Sequence, residues 1–411
     1  PSLRVACLTR PRVGCHRGLC PLPMKSVGRD FDILFISVFA AILGLGIVVP
    51  LLPIYAEELG ASGVWIGLIF SGFAVARAIF MPIVGRVSDE AGRKKFIVFG
   101  LLAYALLSLG YVAAGSVYSL TAVRFLHGIA SAMVVPIAMA YVGDLSGRGE
   151  EGALMGKFQV SLFLGLGSGP LLGGVLNDAF GFSSAFYAMA ALSTLAFLVI
   201  VLFLPEAKGP SSRRRERLSI PRAFRHPGAP AVIAFTTHNS ISRGLLLVFM
   251  PLYAPTISIS PGEVGVILTF SIFLMAIFQV PMGRMADRGH ALRMIAAGAV
   301  VSAGSLVLIP ATNTFWELFM VAAANGLGSA LILPALMAVT VKLGRRMGMG
   351  TSMGAYNTAM SFGMITAPLL GGLVMDLSSI RFVFILGGAA GLAAFVAVYL
   401  LTWRSLAAVE A

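Results

Sequence analysis

Long apolar runs, each near the length that crosses a hydrocarbon core, follow one another along the chain with charged or Gly/Pro/Ser clusters between them. They fall at about 31–53, 64–84, 96–115, 117–141, 157–176, 182–204, 230–255, 262–282, 294–311, 315–341, 351–374 and 380–402. A transmembrane helix needs about 20 apolar residues, so the pattern predicts an all-α membrane protein with twelve spans. The widest interruption, PEAKGPSSRRRERLSIPRAFRHPGAP at 205–230, carries seven Lys/Arg and divides the runs six and six. The expected organisation is a basic tail over 1–29, a six-helix bundle over 30–204, a central loop over 205–229, a second six-helix bundle over 230–403 and a short tail over 404–411.

The two bundles repeat one another at a constant offset of 198 residues. GIASAMVVPIAMA at 128–140 matches GLGSALILPALMA at 326–338, and GSGPLLGGVLND at 167–178 resembles MITAPLLGGLVMD at 364–376. At the same offset Pro53 matches Pro251, Tyr55 matches Tyr253, Gly67 matches Gly265, Gly85 matches Gly283 and Asp89 matches Asp287. Two six-span halves in parallel orientation predict a pseudo-twofold axis along the membrane normal and a pathway between the halves.

Composition sharpens this reading. The chain is 58% hydrophobic and 11% charged, against about 25% charged in an ordinary soluble domain, which excludes a soluble enzyme and a disordered chain. The net charge of +13 would raise nucleic-acid binding in a soluble protein, but here the basic residues sit in short clusters between spans and report topology. Arg86, Arg93, Lys94, Lys95, Arg148, Lys157, Arg284, Arg288, Arg293, Lys342, Arg345 and Arg346 occupy alternate loops or their edges, whereas the other loops hold almost none, Arg381 being the clear exception. Basic residues stay on the cytoplasmic side, so both termini and the central loop are expected there, in the cytoplasmic membrane of a prokaryote. Cys7, Cys15 and Cys20 all precede the first span, so no disulfide or zinc site holds the apolar body together. Residues 1–23 have no apolar run of signal-peptide length, and Met24 opens MKSVGRDFD just before the first span. That segment reads as a gene-start artefact or a disordered basic tail.

The loop after the second span reads Gly85-Arg86-Val87-Ser88-Asp89-Glu90-Ala91-Gly92-Arg93-Lys94-Lys95. This G-x-x-x-D-x-x-G-R-K pattern resembles the loop 2–3 signature of the major facilitator superfamily, a likeness that extends over about residues 30–403. Gly85 suits a close helix approach, and Asp89 suits the positive end of a helix from the other half. The resemblance implies that Arg93 pairs with an acid at the end of the fourth helix, for which Asp144 is placed. The second copy, running from Gly283 through Asp287 to His290, is degenerate, and the counterpart of Asp144 is Lys342. The two locks are therefore not expected to be equally strong.

Three further stretches carry candidate chemistry. RFLHGIASA at 124–132 resembles the family's fourth-helix motif, whose buried Arg is associated with proton coupling; His127 and Ser131 share a face with Arg124. An embedded Arg is expensive and so marks a functional site, the alternative being that it snorkels or caps backbone carbonyls. Gly165, Gly169, Pro170, Gly173 and Gly174 resemble the antiporter signature of drug:proton exporters, which implies export, while ordinary small-residue packing explains the same glycines. The seventh span is unusually polar over Thr236-Thr237-His238-Asn239-Ser240-Ile241-Ser242-Arg243, and polar groups in hydrocarbon need a cavity or a partner. Arg77 is a third embedded arginine, near enough to a predicted helix end to snorkel.

All seventeen Asp and Glu lie at span ends, in loops or at the terminus. Many cation exporters of the superfamily keep a carboxylate in the first, fourth or seventh helix, so this departure counts against carboxylate coupling and a strongly cationic substrate. If a proton is coupled, His127 and His238 are the embedded groups that titrate between about pH 5 and 8, with a peripheral acid such as Asp32 as the alternative. No nucleotide, metal or nucleophile motif appears in a matching context. The expected function is a secondary transporter, without enzymatic activity, cofactor or nucleic acid, that acts as a monomer in the bilayer. It would export a drug-like compound or metabolite in exchange for protons, the alternative being import or facilitated passage of organic anions.

Overall fold

The computed structural model describes residues 24–146, 151–206 and 228–410. The segment 1–23 with its three cysteines, and the central loop from 207 to 227, lie outside the described residues. Twelve long helices dominate: α1 (Met24–Val48), α2 (Gly63–Ala91), α3 (Arg93–Ala113), α4 (Val117–Leu145), α5 (Glu151–Phe180), α6 (Phe182–Phe203), α7 (Ala229–Tyr253), α8 (Pro261–Met285), α9 (Ala291–Leu308), α10 (Phe315–Met347), α11 (Met349–Leu377) and α12 (Ile380–Glu410). Eleven stretches are long and apolar enough to cross a membrane, and the one over Pro261–Ala311 contains both α8 and α9. These two are separated at Gly289, whose φ of 86° breaks the helix.

Helix starts follow local chemistry. Ser116 and Ser119 form a capping box at the head of α4, Ser260 and Glu263 do the same for α8, and the Thr314 side chain accepts from the Glu317 amide at the head of α10. Each satisfies amide groups that helix geometry leaves without a partner. Prolines lie inside seven of the helices, with Pro136 in α4 matched by Pro334 in α10 and Pro170 in α5 by Pro368 in α11. The missing amide of an internal proline bends a helix, so the repeated prolines give both halves the same curvature.

The pseudo-twofold relation extends to individual bonds. The Tyr55 hydroxyl donates to the Ala114 carbonyl at 2.9 Å, and Tyr253 donates to the Thr312 carbonyl at 2.9 Å. Both donor and acceptor are displaced by the same 198 residues. The halves meet through α2 against α11 and through α5 against α8, again as related pairs. A Cβ on Gly67 would stand 2.5 Å from the Pro368 carbonyl oxygen, and one on Gly265 would stand 2.4 Å from that of Pro170. Only glycine permits backbones this close.

The bundle has two ends, one carrying the loop Gly85–Lys95 and the other the head of α2; they are called the motif end and the far end. At the far end Asp376 of α11 accepts hydrogen bonds from the Gly63 and Val64 amides of α2 at 2.6 and 2.9 Å. Its counterpart Asp178 of α5 accepts from the Gly262 amide of α8 at 3.1 Å. Deeper in the same interfaces, the Ser71 hydroxyl donates to the Ile365 carbonyl at 2.6 Å and the Leu171 amide donates to the Thr269 hydroxyl at 3.1 Å. A carboxylate at the positive end of a helix is favourable. Both far-end interfaces are therefore closed in this conformation by the same device.

Candidate functional site

At the motif end, Gly92 takes φ 98° and lets α2 turn directly into α3. This places Arg93 between two acids: its Nε donates to Asp144 Oδ2 at the end of α4, its Nη2 lies 3.4 Å from Asp144 Oδ1, and its Nη1 lies 3.0 Å from Asp89 Oδ1. The Arg93 and Asp144 side chains are 14% and 13% exposed, so the pair is only weakly screened. Glu206, just beyond α6, accepts from the Lys94 amide at 3.1 Å, and Lys94 Nζ donates to the Val201 carbonyl at 2.9 Å. Glu206 thus puts a negative charge on the head of α3. Around Gly85 no described atom lies within 4 Å of a Cβ position, whereas Gly283 has Pro334 at 3.9 Å. Asp287 sits in the π-helical turn before α9 and, among the described residues, makes no ion pair.

In the first half the structure brings Arg124 and His127 into one sealed cluster. Arg124 is 2% exposed, its guanidinium 4.3 Å from the Phe73 ring centroid and 5.1 Å from that of Phe70. Those faces supply the negative potential that a carboxylate would otherwise give. Tyr111 joins the pair, its hydroxyl accepting from Arg124 Nη1 at 3.4 Å and lying 2.9 Å from His127 Nδ1. The His127 ring is fully buried, edge-on to Phe73, Tyr104 and Tyr111. Gly128 makes this possible, since a Cβ there would stand 2.4 Å from the Phe73 carbonyl oxygen. Arg77 lies on α2, which continues past residue 84 through the charged motif to Ala91.

The polar stretch of α7 divides between two environments. His238 turns into its own bundle, where a Cβ on Gly391 of α12 would stand 2.3 Å from its Cε1. Ser242 joins a buried network there: its hydroxyl lies 2.8 Å from that of Ser302, and Asn325 Nδ2 donates to Ser242, to Ser305 and to the Ser302 carbonyl at 2.9–3.1 Å. Asn239 Oδ1 accepts from the Ser329 hydroxyl at 3.2 Å. Arg243 instead lines a cleft of about 590 Å³, solvent at its mouth included, with Ser271, Asn325 and Ser329 as its other polar groups and Leu246, Leu247, Leu268, Ile272, Met275 and Met364 as apolar walls. Leu166 of α5 is the lining residue from the first half.

The glycines of α5 serve two faces at once. Cβ atoms on Gly165, Gly169 and Gly173 would run into the backbone of α1 at 2.3–3.0 Å. Pro170 and Gly174 face α8 of the other half, where a Cβ on Gly174 would stand 2.7 Å from Gly262 Cα and from the Pro261 carbonyl oxygen. Sequence reasoning missed Phe70, Phe73, Tyr104 and Tyr111 around Arg124, and Ser271, Asn325 and Ser329 around the cleft. Asn325 stands 198 residues after His127, and that repeat position was the one available signal. Among the described residues no cluster of three His, Cys, Asp or Glu side chains forms a metal site.

The sequence profile of the Major Facilitator Superfamily matches residues 34–238 and again 232–410. An uncharacterised MFS-type transporter of Methanocaldococcus jannaschii is 27% identical over 365 residues, covering 87% of this chain and 94% of that one. Multidrug resistance protein 2 of Bacillus subtilis is 28% identical over 368 residues, 87% of this chain and 91% of that one. Among solved structures, a bacterial homologue of the human lysosomal transporter Spinster, described as inward-facing and unoccupied, superposes with a TM-score of 0.75 at 13% identity over 94% of this chain and 98% of that one. Two pseudo-symmetric six-helix halves, a charge-locked loop between α2 and α3, and a profile match running through both halves lead to one assignment: this multi-pass membrane chain belongs to the Major Facilitator Superfamily and is a transporter rather than an enzyme.

Proposed function

We propose that the protein exports a drug-like compound or metabolite across the cytoplasmic membrane by alternating access, as a monomer, in exchange for protons. The observation that carries this is the Arg243 cleft, with apolar walls, a few polar groups and Leu166 of the first half among its lining. Apolar lining with sparse polar groups suits small organic molecules. The similarity to a protein named for multidrug resistance supports export, as does the antiporter-like spacing of Gly165, Gly169, Pro170, Gly173 and Gly174. Arg86, Arg93, Lys94, Lys95, Arg284, Arg288 and Arg293 cluster at the motif end, which supports a cytoplasmic motif end and cytoplasmic termini. In this conformation the far end, facing outward, is the closed one. His127 or His238 would carry the proton, since no described lining residue of the cleft is acidic. The test is purified protein in proteoliposomes with an imposed pH gradient and a panel of labelled amphiphiles. Accumulation of at least one against its gradient, abolished by collapsing the pH difference, is expected; uptake indifferent to that difference refutes the coupling.

A further inference from the structure

Of the three embedded arginines, the structure separates one from the other two. Arg124 is sealed among aromatic rings, and Arg77 lies on α2 without contributing to the cleft. Arg243 lines the cleft itself, and among the described residues its guanidinium has no hydrogen bond and no acid paired with it, its electrostatic neighbour being the neutral phenol of Tyr356. A guanidinium offers five donors, cannot be deprotonated in a protein, and matches a carboxylate or sulfonate in two parallel bonds. Leaving such a charge in an apolar site without a counter-charge is costly. The cleft lining has no acid of its own.

Resting on the reading of this cleft as the transport site, we infer that the substrate is an amphipathic organic monoanion whose acid group pairs with Arg243 and whose apolar body lies against Leu246, Leu268, Ile272, Met275 and Met364. Ser271, Asn325 and Ser329, the other polar residues of the lining, already donate their hydrogen bonds within the second half, which leaves the Arg243 guanidinium as the group that selects charge. One unpaired cation selects one negative charge: a dianion leaves a charge buried, and a cation meets repulsion at Arg243. The inference also gives the missing embedded carboxylates a reason, because an acid in this cleft would satisfy Arg243 and compete with the substrate. Outward movement of a monoanion carries negative charge, so an interior-negative potential assists it by about fifty-fold in concentration per 100 mV.

Three probes with one body test it: 1-pyrenebutyrate, 1-pyrenebutanol and 1-pyrenebutylammonium, titrated by fluorescence into the intact purified protein and into Arg243→Gln and Arg243→Lys. The expected result is at least ten-fold tighter binding of the butyrate than of the other two, lost in Arg243→Gln and largely kept in Arg243→Lys. Retention of the ligand-free melting temperature in both variants, expected for a side chain without hydrogen bonds, shows that the change is local. Binding of all three probes with equal affinity, preference for the ammonium, or an undiminished butyrate preference in Arg243→Gln overturns the inference while leaving transport through the cleft intact. Failure of the folded protein to bind any of the three overturns both readings.

Discussion

Removal of Asp376 should open the far end of the molecule. Asp376→Ala deletes two hydrogen bonds from a carboxylate to the Gly63 and Val64 amides, at 2.6 and 2.9 Å, that join the halves only when α2 and α11 touch. A hydrogen bond to a charged group contributes about 1.5–3 kcal/mol, but Asp376 is exposed and solvent screens it. The whole contact is then worth about 1.5 kcal/mol, which is roughly ten-fold in the ratio of far-end-closed to far-end-open molecules. Asp178→Ala removes a single bond of 3.1 Å, worth about 1 kcal/mol or roughly five-fold. The two sites share no partner, so the double variant should shift the ratio by about fifty-fold. Asp376→Asn keeps one acceptor oxygen and should move it by only about three-fold. The measurement is a spin-label distance across the far end, between Tyr118→Cys and Trp316→Cys, in a background lacking Cys7, Cys15 and Cys20. Both label sites are exposed, at 71% and 70%. Growth of the long-distance population is expected in the order Asp376→Asn, Asp178→Ala, Asp376→Ala, double variant. A distance distribution unchanged in the double variant, or shifted toward shorter distances, refutes the reasoning.

Three further outcomes follow from the geometry. Gly67→Ala would place a methyl carbon 2.5 Å from the Pro368 carbonyl oxygen, so it should disfavour far-end closure and cut transport by about ten-fold or more; wild-type turnover in this variant counts against the packing argument. Arg93→Gln and Asp144→Asn should each cost about 2 kcal/mol of stability, below the value for a fully buried pair because both side chains are partly exposed, and the double variant should cost less than their sum. Strictly additive melting shifts in detergent would show that the pair does not couple. His127→Gln should abolish pH-driven flux while leaving substrate exchange, since His127 sits in the Arg124–Tyr111 cluster, whereas His238→Gln should mainly lower the melting temperature because His238 packs against α12; a double variant that still concentrates substrate in response to a pH gradient removes both histidines as proton carriers.

The number of spans and the two-part organisation were legible in the sequence because a hydrocarbon core demands a fixed length of apolar chain, and because the repeat at offset 198 preserved the residues that set backbone spacing. Gly67 and Gly265, Tyr55 and Tyr253, and Asp178 and Asp376 show this directly: the tyrosines make the same bond each within its own half, and the glycines and aspartates make the same contact across the interface. The loop motif was legible too, since its charges lie close in sequence and cannot be buried far apart. Which way each embedded polar side chain turns was decided only by the tertiary structure. In water a helix shows its buried face by alternating with a polar one, but in lipid both the packed and the lipid-facing sides are apolar. Periodicity therefore could not tell that Arg124 lies between Phe70 and Phe73, that His238 faces Gly391, or that Arg243 alone of the three arginines lines the cleft. Gly173 and Gly174 make the same point at the smallest scale: adjacent in sequence, they face different partners, one inside its half and one across the interface, because successive residues on a helix point about 100° apart.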